Sequence, residues 1–118
     1  MAELTVVSHA MDATAVLALV GDLDRTTAHR VHTALDALVL APGQQLVLDL
    51  AGLEFCDSRG ISTMVAARNI AVAAGAGIAL AGVPQRISRV LRIMGLEQII
   101  SLFPTLTTAV DAWTPTKV

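Results

Sequence analysis

The stretch QLVLDLAGLEFCDSRGIS, residues 45–62, changes character twice. Its first part, QLVLDL (45–50), is a short apolar run of the kind found in buried strands. The middle, LEFCDSRG (53–60), gathers a cysteine, an acid, a hydroxyl, a base and a glycine into a break between apolar segments. From about Ser58 to Ala74 the apolar side chains Ile61, Met64, Val65 and Val72 recur at helical intervals. The order is strand, loop, helix, and it decides how the flanking sequence is read.

Downstream, Gly75 and Gly77 punctuate the chain, and AGIALAG (76–82) reads as another buried strand leading to Pro84 in the first turn of a helix. That third helix sets Ile87, Val90, Leu91 and Met94 on one face and Arg86, Arg89 and Arg92 on the other, with Gly95 where a C-terminal cap is expected. QIISLF (98–103) reads as a short edge strand. Pro104-Thr105 then starts a final helix with Leu106, Val110 and Trp113 facing inward, and residues 114–118 read as a frayed tail. Upstream, LTVVS (4–8) and TAVLALVG (14–21) look like a pair of strands around Asp12. A helix follows from Thr26 or Thr27, with Ala28, Val31, Leu35 and Leu38 on its apolar stripe and Pro42-Gly43 as its stop.

The resulting order, β-β-α-β-α-β-α-β-α, predicts an α/β fold: one domain over residues 1–118, with a mostly parallel, mixed sheet of five strands and about four helices. Parallel neighbours need crossover connections, and the alternating helices supply them. Composition agrees. The 118 residues suit one core, 54% are hydrophobic, and the only aromatics are Phe55, Phe103 and Trp113, so Val, Leu, Ile and Ala must fill it.

Several function classes fall away. A net charge of −2 lacks the basic face of a nucleic-acid binder. Cys56 is the sole cysteine and has no internal disulfide partner, and the first residues lack a secretion signal, so the expected location is the cytoplasm. Residues 69–85 carry no charge, but they are rich in Ala and Gly and fall short of the roughly 20 strongly apolar residues a membrane span needs. No membrane association is expected.

The break at Asp57-Ser58-Arg59-Gly60 lies where α/β sheets build sites, at the carboxyl end of a strand. One reading is purely structural: Asp57 or Ser58 caps the helix, worth about 1 kcal/mol, and Gly60 permits close approach. A nucleophilic role for Ser58 lacks both a G-x-S-x-G elbow and a base, since His9, His29 and His32 offer no obvious partner. His29 and His32 are spaced as a metal pair with nothing to complete a site, so no metal is expected. Cys56 beside Phe55 reads as a small buried hydrophobe. A phosphate-binding P-loop is absent, and a phosphoacceptor role for Asp49 fails because the only lysine, Lys117, is in the tail.

Two separated motifs are more specific. G-D-L-D in GDLDRTTA (21–28), followed by a helix, and V-L-D-L, then D-S-x-G at 57–60, together resemble the STAS domain of bacterial anti-sigma factor antagonists. LRIMGLEQII (91–100) resembles that family's L-x-x-x-G-L segment, so the likeness spans nearly the whole chain. The resemblance implies a non-enzymatic protein that binds an anti-sigma factor, itself a serine kinase of the GHKL ATPase type, and so releases a sigma factor. It also implies a phosphoserine phosphatase, and no cofactor of the chain's own, because ATP is used by the partner kinase. On this likeness Ser58 is the phosphorylated serine, and Asp24, Asp57, Ser58, Arg59 and Gly60 form the partner-binding set. The alternative within the same likeness is a scaffold subunit of a larger stress-signalling complex. Arg59 departs from the pattern, which commonly has a small residue after the serine; Arg59 could meet the phosphate, the partner or solvent. Asp49 is expected to hold a structural hydrogen bond, and the arginines at 86, 89 and 92 a solvated face.

Overall fold

The structure is a computed structural model and describes residues 3–114; the tail from residue 115 onward lies outside the described residues. The chain runs β1 (Leu4–Met11), β2 (Thr14–Leu23), α1 (Ala28–Asp36), β3 (Gln45–Cys56), α2 (Ser58–Ala73), β4 (Gly77–Ala81), α3 (Gln85–Ile93), a 3₁₀ turn (Leu96–Gln98), β5 (Ser101–Phe103) and α4 (Leu106–Ala112). The strands form a five-stranded sheet in the order β1-β2-β3-β4-β5. β1 and β2 are an antiparallel hairpin, and every later pair is parallel. This is the mixed α/β architecture expected from the alternation of strands and helices.

The sheet buries its two faces unequally. On one face Leu17, Leu19, Leu46, Leu48 and Leu80 meet Val31 and Leu35 of α1, Met64 of α2 and Leu91 of α3. Burial of each such side chain contributes about 1.5–3 kcal/mol. On the other face the smaller set Val47, Ala79 and Ala81 packs under Ala109 of α4. Trp113, just past α4, lies on Gly77, where a Cβ would collide with its ring, and donates its indole N–H to the Gly43 carbonyl at 3.1 Å.

The helical stripes are narrower than periodicity suggests. Leu38 lies beyond the end of α1 and packs on the core from the following loop. In α2 the inward face is Ile61, Met64, Ala67 and Ala71, and Val72 is exposed. In α3 only Ile87 and Leu91 are buried, and Met94 is 58% exposed. A nine-residue helix anchored by two side chains cannot tuck in its whole apolar arc. The strand expected at 98–103 shortens to Ser101–Phe103, because the chain first turns through Leu96–Gln98.

The correction with the greatest consequence concerns β3. The segment LEFC, read as part of a loop, continues the strand to Cys56. Ala51-Gly52 and Glu54 hide this in the sequence by interrupting the apolar run. They are accommodated by two register shifts against β2, so that Val20 faces Gly52, Gly21 faces Leu53, and Leu23 faces Cys56. Such bulges bend and twist a strand pair at the rim of a sheet, often beside functional sites. At Gly52 a Cβ would lie 2.9 Å from the Val20 side chain, so a larger residue there would have to push Val20 aside. β4 pairs with β3 only up to Asp49, so the carboxyl ends of β2 and β3 project together beyond the rest of the sheet.

Candidate functional site

Two aspartates follow directly from those projecting ends. Asp24 comes after Leu23 and Asp57 after Cys56, and Leu23 and Cys56 are paired. The Asp57 N–H donates to the Leu23 carbonyl at 3.3 Å, tying the two turns together.

Asp24 folds its carboxylate back on its own loop. One oxygen, Oδ1, accepts from the Thr26 N–H at 2.8 Å, the Thr26 hydroxyl at 2.7 Å and the Thr27 N–H at 3.1 Å. The Thr27 hydroxyl donates to the Asp22 carbonyl at 2.7 Å, which fixes the start of α1. The Thr26 hydroxyl above all holds the Asp24 carboxyl below its usual range; desolvation opposes it, and the Thr26 and Thr27 N–H groups and the Thr27 hydroxyl add smaller pulls in the same direction as the Thr26 hydroxyl.

Asp57 is the N-cap of α2, with extended backbone, and accepts the Gly60 N–H at 3.0 Å. This is the capping role expected for an acid at the head of a helix. Gly60 is buried, and a Cβ there would stand 2.7 Å from Cys56 Sγ and 2.8 Å from the Leu23 carbonyl oxygen. Gly60 thus lets the helix start close against the β2 end. Cys56 is half-buried; burial first, and the Asp57 charge second, push its thiol up to about 11. That surrounding disfavours the thiolate, the form that would react.

Ser58 is the first residue of α2 and is exposed. Its backbone carbonyl accepts from Ser62, but among the described residues its own hydroxyl makes no hydrogen bond. It stands between two clefts. One, of about 400 Å³, is polar and has Asp24, Thr26, Asp57 and Ser58 in its wall, with Arg25 and Arg59 at the rim. The other, of about 390 Å³, is mostly apolar, running from Ser58 and Ile61 to Met94 and Leu96. None of the histidines lines either cleft: His29 faces the groove between α1 and β1, and His9 and His32 are exposed. Among the described residues no group of three or more His, Cys, Asp and Glu side chains converges as a metal site would.

The structure therefore brings together all five residues singled out in the sequence, with Asp24 and Asp57 on adjoining turns and Ser58, Arg59 and Gly60 in the first turn of α2. It adds three that sequence reasoning passed over: Arg25, Thr26 and Phe55. Phe55 is 51% exposed at the end of β3; simple alternation would have set it on the buried face with Leu53, and the register shift between Leu53 and Phe55 turns it outward, so the sequence carried no signal for it. The arginine face of α3 is only partly solvated. Arg86 donates to the Glu54 carbonyl at the β3 end, and Arg92 lies 3.6 Å from Glu97 in an exposed ion pair. Asp49 accepts from the Ala51 N–H at 3.2 Å, the local structural bond expected of it, beside the bulge.

The sequence model described as "Mlab, STAS domain" matches residues 7–104, most of the chain. The chain belongs to the STAS family. This STAS domain is 32% identical over 104 residues to the anti-sigma-F factor antagonist RsfB of Mycobacterium tuberculosis, covering 87% of this chain and 82% of RsfB. It superposes with a TM-score of 0.77 on the crystal structure of an anti-sigma factor antagonist from Mycobacterium paratuberculosis, 29% identical, with 94% of each chain covered. It shares its fold with the phosphorylated form of the Bacillus cell fate determinant SpoIIAA at a TM-score of 0.58 and 21% identity, over 94% of this chain and 97% of the other. Among the described residues no helix of the STAS domain is long and apolar enough to cross a membrane.

Proposed function

We propose that this STAS domain is an anti-sigma factor antagonist, a binding module without catalysis of its own that is switched by phosphorylation of Ser58. The observation that carries the reading is the placement of Ser58: an exposed, unengaged hydroxyl on a rigid helix start, between an acidic turn and an apolar cleft. The likeness to RsfB and to the M. paratuberculosis antagonist supports the partner class, an anti-sigma factor. SpoIIAA, which shares the fold, has a phosphorylated form.

The chemistry needs a second protein. No histidine adjoins Ser58, so the base that takes its proton, the ATP and the metal come from an anti-sigma factor of the GHKL serine-kinase type. The γ-phosphoryl group passes to Ser58 Oγ and ADP leaves. A phosphoserine phosphatase restores the hydroxyl by hydrolysis. On this chain, Asp57 holds the helix start, Gly60 brings it against β2, Asp24 shapes the adjoining turn, and Arg59 borders the phosphoacceptor.

The switch is electrostatic. Phosphate adds about −1.5 to −2 charge at the start of α2, where unpaired N–H groups and the helix dipole favour an anion, so the fold persists. When the same surface is covered by a partner, that charge must be desolvated next to Asp24 and Asp57, and binding weakens tenfold for about each 1.4 kcal/mol. Unphosphorylated antagonist captures the anti-sigma factor and frees the sigma factor, which would act in the cytoplasm. The test is incubation with the cognate kinase and ATP followed by site mapping by mass spectrometry. Phosphate on Ser58, absent in Ser58→Ala, is the expected result; an active kinase that leaves Ser58 unmodified would refute the proposal.

A further inference from the structure

The two edges of the sheet differ sharply. β5 offers three residues, whereas β1 offers eight, LTVVSHAM, with no Pro, Lys, Arg, Asp or Glu among them. Long uncharged edges are templates for another strand, and proteins normally blunt them. The pattern of the hairpin shows which groups of β1 face outward. The Asp22 N–H donates to the Glu3 carbonyl, and Met11 and Thr14 flank a two-residue turn. Hydrogen-bonded pairs alternate along an antiparallel ladder, so Thr5, Val7, His9 and Met11 spend their backbone groups on β2. Leu4, Val6, Ser8 and Ala10 point theirs away from the sheet. The Leu4 carbonyl does so visibly, accepting from Arg30 Nη1 at 3.3 Å.

We propose that this free edge of β1 pairs antiparallel with the same edge of a second copy of the chain, about a two-fold axis at Val7. In that register Leu4 faces Ala10 and Val6 faces Ser8 of the other copy, and every outward N–H and C=O of the four residues finds a partner. The edge is thus self-complementary, as an isologous interface must be. Val7, 49% exposed on the face opposite α1, meets its own copy. On the α1 side, a groove of about 360 Å³ between Val6 and the outer flank of α1 has the small side chains of Thr33, Ala34 and Ala37 along one stretch and His29 and Arg30 along the other, so the second α1 can approach over the small residues. Charge fits as well. Arg30, held at Leu4, comes beside the hairpin turn of the other copy, which carries the exposed Asp12. Neither β1 nor α1 lines the clefts beside Ser58, so pairing leaves that site open.

Sedimentation of the full chain from micromolar to about 1 mM tests this. The expected result is a concentration-dependent doubling of mass from 12.3 kDa. Val7→Lys, which sets two cations against each other, and Ser8→Pro, which removes an outward N–H, should each weaken self-association at least tenfold with an unchanged circular dichroism spectrum. Val7→Cys should cross-link on mild oxidation, since Cα atoms of a facing non-hydrogen-bonded pair lie about 4.5 Å apart. Thr5→Cys, with its copy roughly 13 Å away along the strands, should not. A mass that stays at 12.3 kDa throughout, a dimer indifferent to both edge variants, or equal cross-linking at positions 5 and 7 would overturn the proposal. So would a monomer whose β1 edge takes up an unrelated extended peptide instead.

Discussion

Asp24 and Asp57 end neighbouring strands in matched positions, yet the two turns use their carboxylates differently. Asp24 gathers three donors from Thr26 and Thr27 on a single oxygen, and its turn is complete in itself. Asp57 accepts one N–H, from Gly60, and in doing so starts a sixteen-residue helix whose first hydroxyl, Ser58, is unengaged. One turn is closed and serves as a wall; the other is open and presents an exposed hydroxyl. The difference teaches that the adjustable part of this surface is supported by a neighbour with nothing left to adjust.

The sharpest way to break the comparison is to load the open turn with charge. Ser58→Glu should lower affinity for the cognate anti-sigma factor by about 100-fold, a loss of about 3 kcal/mol, within the range for an uncompensated charge in a covered interface. Ser58→Ala should bind within a few-fold of the unsubstituted protein, as measured by titration calorimetry. Equal affinities for both variants would mean that Ser58 lies outside the contact. Removing the close approach behind the open turn comes next. Gly60→Ala places a methyl group against Cys56 Sγ and the Leu23 carbonyl, and should cost about 1–3 kcal/mol in urea unfolding. Adding Cys56→Ala should recover part of that loss and not all of it, because the backbone carbonyl remains.

Asp57→Ala tests the cap itself. It removes the acceptor for the Gly60 N–H, and a loss of about 1 kcal/mol is expected in the same unfolding experiment. Asp57→Asn, which can still accept that bond, should lose less. If the two variants are equally destabilised, the carboxylate charge at the helix dipole outweighs the hydrogen bond.

The open turn was the more legible of the two. An acid and a serine after a strand and before a helix announce a cap, and Asp57 is that cap while Ser58 stands in the first turn with its hydroxyl unengaged. The extent of β3 was hidden because a bulge consumes residues that break alternation: Gly52 and Glu54 read as loop, though Gly52 is there to clear Val20. Phe55 was overlooked for the same reason, since a residue assigned to a loop has no face. Val90 and Met94 failed differently. Their spacing matches a helix stripe, but periodicity reports which side chains share a face and says nothing of how much surface lies opposite to cover them. Here Met94 borders the apolar cleft beside Ser58, whereas Val90 lies with Phe55 and Arg86 along the end of β3, so the uncovered arc faces two different stretches of surface.

The smallest expected effect concerns the closed turn, and its sign separates a wall from a contact. The Thr26 hydroxyl and the backbone N–H groups of Thr26 and Thr27 hold the Asp24 carboxyl below its usual value of 3.8, and unfolding releases it to that value. Between the two values the unfolded chain binds the proton that the folded chain does not, so stability rises with pH there. The stabilisation is fully present above the unfolded value and fades as pH falls through the folded one. Asp24→Asn keeps a carbonyl acceptor and has no proton to bind. The stability difference between unsubstituted protein and Asp24→Asn should therefore be small and constant from about pH 5 upward, and should shrink on acidification below about pH 4, as followed by urea midpoints. Asp24 is only half-buried at this turn, so screening keeps the effect small, and it should diminish further in high salt. If Asp24→Asn instead leaves stability unchanged at every pH but weakens anti-sigma factor binding, the Asp24 carboxylate is itself a contact, and the closed turn is as much a part of the recognition surface as the open one.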